Sequence, residues 1–298
     1  MSVGVQVKIL SVTDISDSSM DFTVTMDFIQ VWNDPRLNET TSDETAGGEF
    51  RAGPELAQSF WIPDSAFPNV KHVNHPQPST FSDMVLTIQS SGTISLSRRM
   101  SVTASCEMDL HDFPLDCQKC SLEIQSFGHS VQDVEHKWRS GDNSDEDRSL
   151  FSTSSFLVTG VRHQERMVEL LSGNYSRLSL VFDLDRNLGH YLKCLYCPAI
   201  MCIILSWVSF LLPPRYITAR VLIGVASLLA VLLLEIKTSS LTAKTSYLTA
   251  SDIYLWWCGV TVLGSLAVTV WVACLEHRKG GENKLEVVDG TCSGIFRD

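Results

Sequence analysis

Charge is absent from three long stretches in the last part of this sequence. Only 19% of the 298 residues are charged, and none of these falls within Cys194–Pro214, Val221–Leu234 or Ile253–Leu275. The first and third stretches are long enough to cross a bilayer, which takes about 20 consecutive apolar residues. The middle stretch is shorter and is bounded by Arg220 and Glu235. Its shortness favours a helix whose ends meet water inside a pore.

Basic residues and helical periodicity are both scarce in the first part of the chain. Met1–Leu188 holds 14 Lys and Arg against 27 Asp and Glu. An acidic surface of this kind repels phosphates, which excludes a nucleic-acid partner. About eight to ten short segments alternate apolar and polar residues, the pattern of half-buried strands. The sequence therefore predicts an antiparallel β-sandwich over residues 1–188.

The uncharged stretches predict a bundle of transmembrane helices over residues 189–277. We place the three spans at about 191–212, 218–238 and 252–275. The polar residues 278–298 form a predicted cytoplasmic segment, and no fourth span occurs as far as Asp298.

Patterns of catalysis and metal binding are also missing. No nucleophile–base pair or phosphate-binding loop is recognisable, so an enzyme is not predicted. Cys194-Leu-Tyr-Cys197 lacks the second pair that a structural zinc site needs. Two pairs of histidines, His72/His75 and His129/His136, are candidates for metal binding, and we interpret these four as solvated loop residues. Neither a metal nor a cofactor is expected.

Two strands with clear alternation orient a set of polar side chains. Phe22, Val24, Met26 and Phe28 occupy one face of the first, which turns Asp27 and Ile29 to the other. The second strand directs Ile94, Leu96, Met100, Val102 and Ala104 to the core. Ser97 and Arg99 therefore point outward from that strand.

Two cysteines, Cys106 and Cys120, enclose 13 residues that contain Phe113-Pro114. A disulfide between them would close a loop and would require an oxidising compartment. The sequons Asn38-Glu-Thr40 and Asn174-Tyr-Ser176 agree with such a compartment. Arg215, Arg220, Arg278 and Lys279 lie between or after the spans, on the side that basic residues mark as cytoplasmic. The β-sandwich is therefore predicted outside the cell and the protein in the plasma membrane.

The cysteine-bounded segment, with Phe113, Pro114 and Asp116 inside it, resembles the signature loop of the Cys-loop receptors, the pentameric ligand-gated ion channels. Other segments resemble the same family, and with them the resemblance extends to about His277. They are Trp32–Leu37, Phe60–Asp64, Ile204–Phe210, Ala219–Val221 and Thr245–Asp252. The resemblance implies assembly with like subunits into a pentamer in the lipid bilayer, a disulfide between Cys106 and Cys120, and passage of ions.

In this family a small ligand lies between neighbouring subunits, with aromatic residues on one side and strand residues on the other. The resemblance assigns Phe127, Tyr175 and Phe67 to the aromatic side. The alternative of a core aromatic is favoured for Phe67 and not for Phe127 or Tyr175. It assigns Asp27, Ile29, Ser97 and Arg99 to the facing strands. Ile29 stands where subunits that bind carboxylate ligands have arginine, and Asp27 adds negative charge. This pattern disfavours glycine, GABA and glutamate, and the neighbouring cysteines of acetylcholine-type subunits are missing near Tyr175.

The second span carries a stripe of residues at steps of four and three, which keeps them on one helical face. The resemblance makes this face the pore lining: Leu222, Ala226, Leu229, Leu233, Ile236 and Ser240. Leu229 corresponds to the central gate, and an apolar pore can close by dewetting. An ordinary packed helix would explain the leucines as well. Ala219 indicates anions whereas Pro213-Pro214 resembles the cation channels, and of the two we favour anions.

The resemblance also predicts how the two parts of the chain communicate. Asp17, Phe113, Pro114, Asp116 and Arg186 are expected to act against the linker Lys237–Ser246, with Arg186 pairing with acidic residues. Cys117 is expected to remain a free thiol. Two alternatives stay open: a receptor-like protein that does not conduct or needs partner subunits, and a membrane-anchored β-sandwich adhesion or binding protein.

Overall fold

The computed structural model describes residues 1–37, 49–53, 59–74, 84–139, 152–153, 155–241 and 245–295. Asn38, His75 and residues 140–149 lie outside the described residues. The chain divides into two compact units. The β unit comprises Met1–Asp109 and Asp116–Asn187, and the helical unit comprises Leu110–Leu115 and Leu188–Asp298.

The β unit is built from two sheets. One has the strand order β3-β6-β7-β2-β1-β9, with β5 also paired to β7, and the other has the order β10-β11-β8-β4. All pairings are antiparallel except that of β1 with β9, which is parallel. The strands are β1 (Ser2–Ser16), β2 (Asp21–Asn33), β3 (Glu49–Ala52), β4 (Ser65–Ala66), β5 (Val70–Asn74), β6 (Met84–Gln89), β7 (Thr93–Ser105), β8 (Cys117–Ser126), β9 (Glu135–Trp138), β10 (Phe156–Leu170) and β11 (Gly173–Arg186).

Alternation along the strands creates the core of the β unit. Every second side chain of β2 is buried, from Phe22 to Trp32. The same alternation occurs in β7 except at half-buried Arg98, and in β11 from Leu180 to Arg186. The rings of Phe22 and Phe182 meet edge to face, 5.6 Å apart, as aromatic pairs prefer. The predicted mostly-β first part is confirmed.

A disulfide joins Cys106 to Cys120, with 5.2 Å between the two Cα atoms. The bond predicted from the resemblance is therefore present, and Cys117 beside it is a free, exposed thiol. Closing a loop of about 15 residues removes enough unfolded-state entropy to stabilise the fold by about 3 kcal/mol.

Three helices follow the last strand. Helix α1 (Gly189–Leu211) contains a π-helical stretch at Leu192–Tyr196 and ends in a 3-10 turn at Ser209–Leu211. Helix α2 is Ile217–Leu241 and helix α3 is Ala250–Ile295. The segments long and apolar enough to cross a membrane are Gly189–Leu211, Ile217–Ser240 and Ala250–Leu275, close to the spans predicted from the sequence. The helical backbone of α3 continues through Ile295, beyond the predicted end of the third span.

The helices pack through small and polar residues. The buried hydroxyls of Ser206 in α1 and Ser265 in α3 form a short hydrogen bond. A Cβ atom added to Gly224 in α2 would overlap Cδ1 of Leu266 in α3. Small residues allow membrane helices to approach closely, and hydroxyl groups link them.

Candidate functional site

The loop that follows β8 is held by one carboxylate. Asp64 accepts hydrogen bonds from the Ser126 hydroxyl at 2.6 Å and from the Gly128 N–H at 2.7 Å. Nδ1 of His129 lies 3.0 Å from Oδ2 of the same residue. The Phe127 N–H also donates to the Asp64 carbonyl, at 3.2 Å. These bonds fix the loop Ser126–His129 with its aromatic side chain directed outward.

The same contacts control the acidity of Asp64. Burial alone would raise its pKa, but the Ser126 hydroxyl, the Gly128 N–H and His129 outweigh burial and lower the pKa to about 2. The carboxylate is therefore ionised throughout the physiological range. Sequence analysis quoted Asp64 only as part of a motif and assigned it no role.

The three predicted aromatic residues differ in exposure. Phe127 is 83% exposed. Tyr175 is 6% exposed, and its hydroxyl lies 3.0 Å from that of Ser172. Phe67 is half-buried and packs edge to face on Phe28 at 5.5 Å, as the core interpretation predicted. In this chain alone, Phe127 therefore offers the open aromatic surface.

The four predicted strand residues form two neighbouring cross-strand pairs. Asp27 faces Arg99, and Ile29 faces Ser97, across β2 and β7. Arg99 binds Asp27 through two hydrogen bonds, from Nε at 2.8 Å and from Nη2 at 3.2 Å. The positive charge at this surface is thus matched by a carboxylate on the adjacent strand.

Two basic side chains were not foreseen in their actual places. Arg98 lies on the inner side of β7 opposite Phe28, and its buried Nε has no hydrogen-bond partner among the described residues. Burial lowers its pKa. His136 was predicted to be solvated, and this is wrong. It is 2% exposed, its Nε2 lies 2.7 Å from the Ser65 hydroxyl, and burial lowers its pKa.

Arg186, the last residue of β11, binds two carboxylates. Its Nε donates to Asp116 Oδ1 at 2.6 Å, and Nη2 donates to Asp116 Oδ2 at 2.9 Å. Its Nη1 and Nη2 reach Asp17 Oδ2 and Oδ1 at 2.6 and 2.9 Å. The guanidinium also lies 4.4 Å from the centre of the Phe156 ring. The structure therefore brings together three of the five residues predicted for coupling.

This ion-pair cluster is almost fully excluded from solvent. The Arg186 side chain is 0% exposed and that of Asp116 is 3% exposed. Burial alone would lower the pKa of Arg186, but the two carboxylates raise it above its ordinary value. Gln118 adds a hydrogen bond to Asp116 Oδ2 at 2.5 Å. Removing one member would leave a buried charge without a partner, which is costly.

The tip of the disulfide-closed loop, Leu110–Leu115, belongs to the helical unit. His111 stacks on Tyr247 with ring centres 3.8 Å apart. The Leu110 N–H donates to the Tyr247 hydroxyl at 3.0 Å, and the His111 carbonyl accepts the Ala250 N–H at 2.8 Å. These bonds satisfy backbone groups at the start of α3.

Phe113 and Pro114, the other two residues predicted for coupling, are both buried at this tip. Phe113 contacts Tyr191 of α1 edge to face, with ring centres 5.1 Å apart, and its carbonyl accepts the Ser251 N–H at 3.1 Å. The prediction assigned the contact to Lys237–Ser246. The described hydrogen bonds of the tip reach Tyr247, Ala250 and Ser251, just after that linker, and two of them use N–H groups at the start of α3. Phe113 also lines a small cavity with Lys237 and Thr238 of the linker, and the coupling role stays a prediction.

One face of α2 is free of contact with the other helices of this chain. Its residues are spaced at steps of four and three, and each is exposed: Leu222, Ala226, Leu229, Leu233, Ile236 and Ser240. The opposite face is buried at Gly224, Ser227, Val231 and Thr238. The predicted stripe is therefore one continuous, mainly apolar surface.

Arg220 lies at the start of α2 and does not join that surface. It is 8% exposed. Its guanidinium donates to the Leu212 carbonyl, with Nε at 3.0 Å, and to the Phe210 carbonyl at 3.3 Å. Sequence analysis placed this charge at a pore mouth, whereas the side chain binds the carbonyl groups at the end of α1.

Comparison with known families shows which family has a β unit of this kind followed by apolar helices. A model of the neurotransmitter-gated ion-channel ligand binding domain matches residues 1–188, and a model of the neurotransmitter-gated ion-channel transmembrane region matches residues 195–291. The chain belongs to this family. It is the family of the Cys-loop receptors, so the recognition made from the sequence is confirmed.

Two of the relatives that match this chain are named as gamma-aminobutyric acid receptor subunits. The gamma-aminobutyric acid receptor subunit beta-like of Drosophila melanogaster is 32% identical over 303 residues, which cover 99% of this chain and 60% of the relative. The gamma-aminobutyric acid receptor subunit beta of Lymnaea stagnalis is 33% identical over 275 residues, which cover 89% of this chain and 54% of the relative. The chain thus spans little more than half the length of these relatives.

Membership of the family determines the setting of the two units. The β unit is the extracellular ligand-binding domain, and the helices after it span the plasma membrane. The family consists of ligand-gated channels, so the chain is not an enzyme. Glycosylation at Asn38 and Asn174 stays a prediction.

Proposed function

We propose that this chain is a subunit of a pentameric ligand-gated ion channel in which a small extracellular ligand binds between subunits. The exposed stripe of α2 lines the ion pathway. The observation that carries this proposal is the division of α2 into two faces. Gly224, Ser227, Val231 and Thr238 are buried, whereas the leucines of the stripe, Leu222, Leu229 and Leu233, are exposed. Five copies placed around an axis would enclose this surface and create a pore that no single chain contains.

The apolar character of the stripe explains a closed resting state. Leu222, Leu229 and Leu233 are each more than half exposed, and rings of leucine can close a narrow pore by dewetting. Binding of the ligand would have to move α2 far enough to admit water. The buried cluster around Arg186 and the loop tip around Phe113 are the proposed route, because Asp116 directly follows that tip in the sequence.

A polar residue at the central leucine tests this account. The Leu229→Ser variant should conduct without ligand, because a hydroxyl keeps the constriction wet. Voltage-clamp recording from cells that express the chain measures this current. Leu232→Ser is the matched control, since Leu232 is 44% exposed and lies beside the stripe. Pentamers at the cell surface that stay silent in both variants would favour the second candidate, a receptor-like protein that does not conduct alone.

The ligand is proposed to lack the carboxylate of GABA, although both relatives are named as GABA receptor subunits. Ile29 is apolar, and Arg99 is already bound by Asp27. A carboxylate on the outward face of these two strands would therefore meet only Arg99, which Asp27 already binds, whereas an amine could lie against exposed Phe127. Application of GABA and of simple amines to the Leu229→Ser channel compares the two classes, and activation by GABA alone would refute this choice.

Anions are the proposed permeant ions. Ala219 precedes Arg220 at the position where cation channels carry glutamate, so no acidic residue is present there. Replacing most external chloride with a large anion should shift the reversal potential of the Leu229→Ser current toward positive voltages. A reversal potential that follows external sodium instead would show a cation pathway.

A further inference from the structure

His136 is a buried polar residue of the β unit that contacts two segments of the candidate ligand site. It belongs to β9, which pairs with β1 at the edge of its sheet. Only 2% of the residue is exposed. Burying a polar side chain is costly unless it forms hydrogen bonds, so the bonds of this residue indicate what it does.

The imidazole ring of His136 is bound to Ser65 of β4. Its Nε2 lies 2.7 Å from Ser65 Oγ, and Gln30 of β2 donates from its own Nε2 to the same oxygen at 2.7 Å. Gln30 is also 2% exposed. Strand β4 consists of Ser65 and Ala66 alone, and it pairs with β8 at these two positions. The bond to His136 therefore anchors a very short strand to the interior of the β unit.

Strand β4 adjoins the residue that holds the exposed aromatic side chain. Asp64 directly precedes Ser65. Asp64 accepts the hydrogen bonds that fix the loop of Phe127. A shift of Ser65 would therefore move Asp64 and change the position of the Phe127 ring.

The backbone of His136 makes a second connection. Its N–H donates to Oγ of Ser176 at 2.8 Å, and Ser176 is 7% exposed. Ser176 directly follows Tyr175 in β11. One buried residue thus links the strand next to the Phe127 loop with the residue next to Tyr175.

Protonation of the ring would disturb this arrangement. Nδ1 of His136 is buried and has no hydrogen-bond partner among the described residues. A second proton would add a charge and an N–H group without an acceptor, in a place that is closed to water. Burial accordingly lowers the pKa of His136 although nearby Asp64 acts to raise it. The ring is therefore neutral at neutral pH.

We propose that His136 is a positioning residue, which fixes Phe127 and Tyr175 relative to each other through its bonds to Ser65 and Ser176. This inference rests on the proposed function, because a ligand that touches both aromatic residues makes their relative position matter. Neutral His136 keeps the arrangement to which the ligand binds. Loss of the ring nitrogens weakens ligand binding and leaves the pore unaltered.

The first test needs no current. Purified full-length chain in detergent is compared with its His136→Phe variant by hydrogen exchange and mass spectrometry. Phenylalanine keeps a ring of similar size and removes both nitrogens. Peptides that cover Ser126–His129 and Gly173–Arg177 should exchange at least about threefold faster, because one net hydrogen bond is worth about 0.5–1.5 kcal/mol.

Two further variants complete the exchange experiment. Ser65→Ala removes the partner of the ring with little change of volume, and it should accelerate exchange at Ser126–His129 as well. His72→Phe makes the same substitution at an exposed residue of β5, and it should leave both segments unchanged. Unaltered exchange of both segments in folded His136→Phe and Ser65→Ala chains would overturn the proposal.

The second test measures apparent affinity. Tetramethylammonium, or GABA where this amine does not activate, is applied to cells that express the chain. His136→Phe should raise the half-maximal concentration by about three- to tenfold, as the loss of one hydrogen bond predicts, with the same maximum current. His136→Gln should restore most of the affinity, because its side-chain amide can still bond to Ser65. A lower maximum current at an unchanged half-maximal concentration would contradict the assigned role.

The dependence on pH separates a neutral imidazole from a side chain that only fills space. The charge of tetramethylammonium is fixed, whereas histidine is the side chain that ordinarily titrates between about pH 5 and 8. Acidification from about pH 7.5 to 5.5 should raise the half-maximal concentration of the unaltered chain, since it protonates His136. His136→Gln should remove this effect, because an amide takes up no proton.

The charged neighbours of His136 determine the control for this measurement. His129 contacts Asp64 at 3.0 Å and is the neighbouring histidine, so His129→Gln should keep the pH effect. The other charged residues that line a cavity beside His136 are Glu135, Lys137, Glu165, Arg166 and Arg177. A pH effect that persists in His136→Gln, or one that disappears in His129→Gln, would overturn the role of the neutral ring.

The two proposals fail in different ways. Faster exchange in His136→Phe, in a chain that forms no conducting pentamer, supports the buried connection and refutes the proposed channel. Ligand-evoked currents from a His136→Phe chain with unaltered exchange and affinity refute the positioning role and leave the channel intact.

Discussion

Single residues in the β unit determine local structure through the groups that they bind. Asp64 and Arg186 illustrate this at two places. The first organises the loop of Phe127 through three donors, and the second neutralises two acids. Neither role follows from the residue type alone, because each depends on partners that are distant in the sequence.

Replacing Arg186 should be among the most damaging changes in the chain. Arg186→Ala leaves Asp116 buried without a cation, which is expected to cost about 3–5 kcal/mol of folding free energy. We expect little receptor at the cell surface, or pentamers that bind ligand without opening. Surface labelling and denaturant unfolding measure the two effects.

Arg162→Ala provides the control for that experiment. Arg162 pairs with Asp183 at 2.6 Å, but its side chain is 51% exposed. Removal of a surface pair costs below about 1 kcal/mol. Arg186→Ala pentamers with normal abundance and an unchanged ligand response would contradict the assigned role.

Asp64 should make the stability of the β unit dependent on acid. Its pKa of about 2 in the fold lies below the value of 3.8 for an unperturbed Asp. The folded state therefore favours the ionised form. The resulting stability is present above pH 4 and is lost as the pH falls toward 2. Because the side chain is 29% exposed, we expect an effect of about 1 kcal/mol.

The Asp64→Asn variant isolates this contribution. Its unfolding free energy should be lower than that of the unaltered chain at pH 6, and the difference should shrink toward pH 2. Thermal unfolding followed by circular dichroism measures it. Glu107→Gln, at an exposed carboxylate, should leave the pH profile unchanged. Parallel profiles for the unaltered chain and Asp64→Asn would refute the contribution.

The sequence predicted residue positions better than residue environments. Alternation in β2 and β7 correctly predicted that Asp27, Ile29, Ser97 and Arg99 share one surface. The reason is that successive side chains of a strand point to opposite faces of the sheet. Their pairing into Asp27–Arg99 and Ile29–Ser97 depends on the register between strands, which alternation does not determine. The burial of His136 has the same origin, since β9 pairs with β1 from far along the chain.

At the scale of elements, helix packing depends on where small residues lie. Gly224 lets α2 approach Leu266 of α3 so closely that an added Cβ atom would require the Leu266 side chain to move. The hydroxyls of Ser227 and Thr238 donate to carbonyls of their own helix at 2.9 Å, so the buried face of α2 leaves these groups satisfied. The exposed stripe lies on the other side of the helix.

A methyl group at Gly224 should therefore disturb the bundle. Gly224→Ala places Cβ against Leu266 and is expected to cost about 1–3 kcal/mol through overpacking. The double variant Gly224→Ala/Leu266→Ala should recover part of this loss. Thermal stability of the detergent-solubilised chain measures both.

Gly264→Ala is the matched control. A Cβ atom there meets nothing within 4 Å, and alanine is the better helix former, so stability should be equal or higher. Equal effects at Gly224 and Gly264 would show that the α2–α3 contact is looser than described.

Several features of the elements were not predictable from the sequence. Hydropathy predicted three spans. The binding of Arg220 to carbonyl groups at the end of α1 was not predictable, because it depends on the conformation of the turn between α1 and α2. The hydrogen bonds of the loop tip with Ala250 and Ser251 depend on helix-start N–H groups whose direction is set only by the fold. The disulfide, by contrast, was signalled by the spacing and content of the loop.

At the scale of the whole molecule, a single chain presents surfaces that the proposed ligand site and pore would share with neighbouring subunits. It presents an exposed aromatic residue at Phe127, a paired Asp27–Arg99 strand surface, and an exposed apolar stripe on α2. Family membership explains this arrangement, because the proposed ligand site and pore both require neighbouring subunits. The adhesion-protein alternative accounts for the β-sandwich and leaves the division of α2 into two faces without a reason.

The most direct test of the central claim is electron microscopy of the purified full-length chain in detergent. The account predicts particles with five-fold symmetry, in which Leu229 of each copy faces the axis and Gly224 faces away from it. Monomers, dimers, or a ring with another face of α2 toward the axis would contradict the proposed pore.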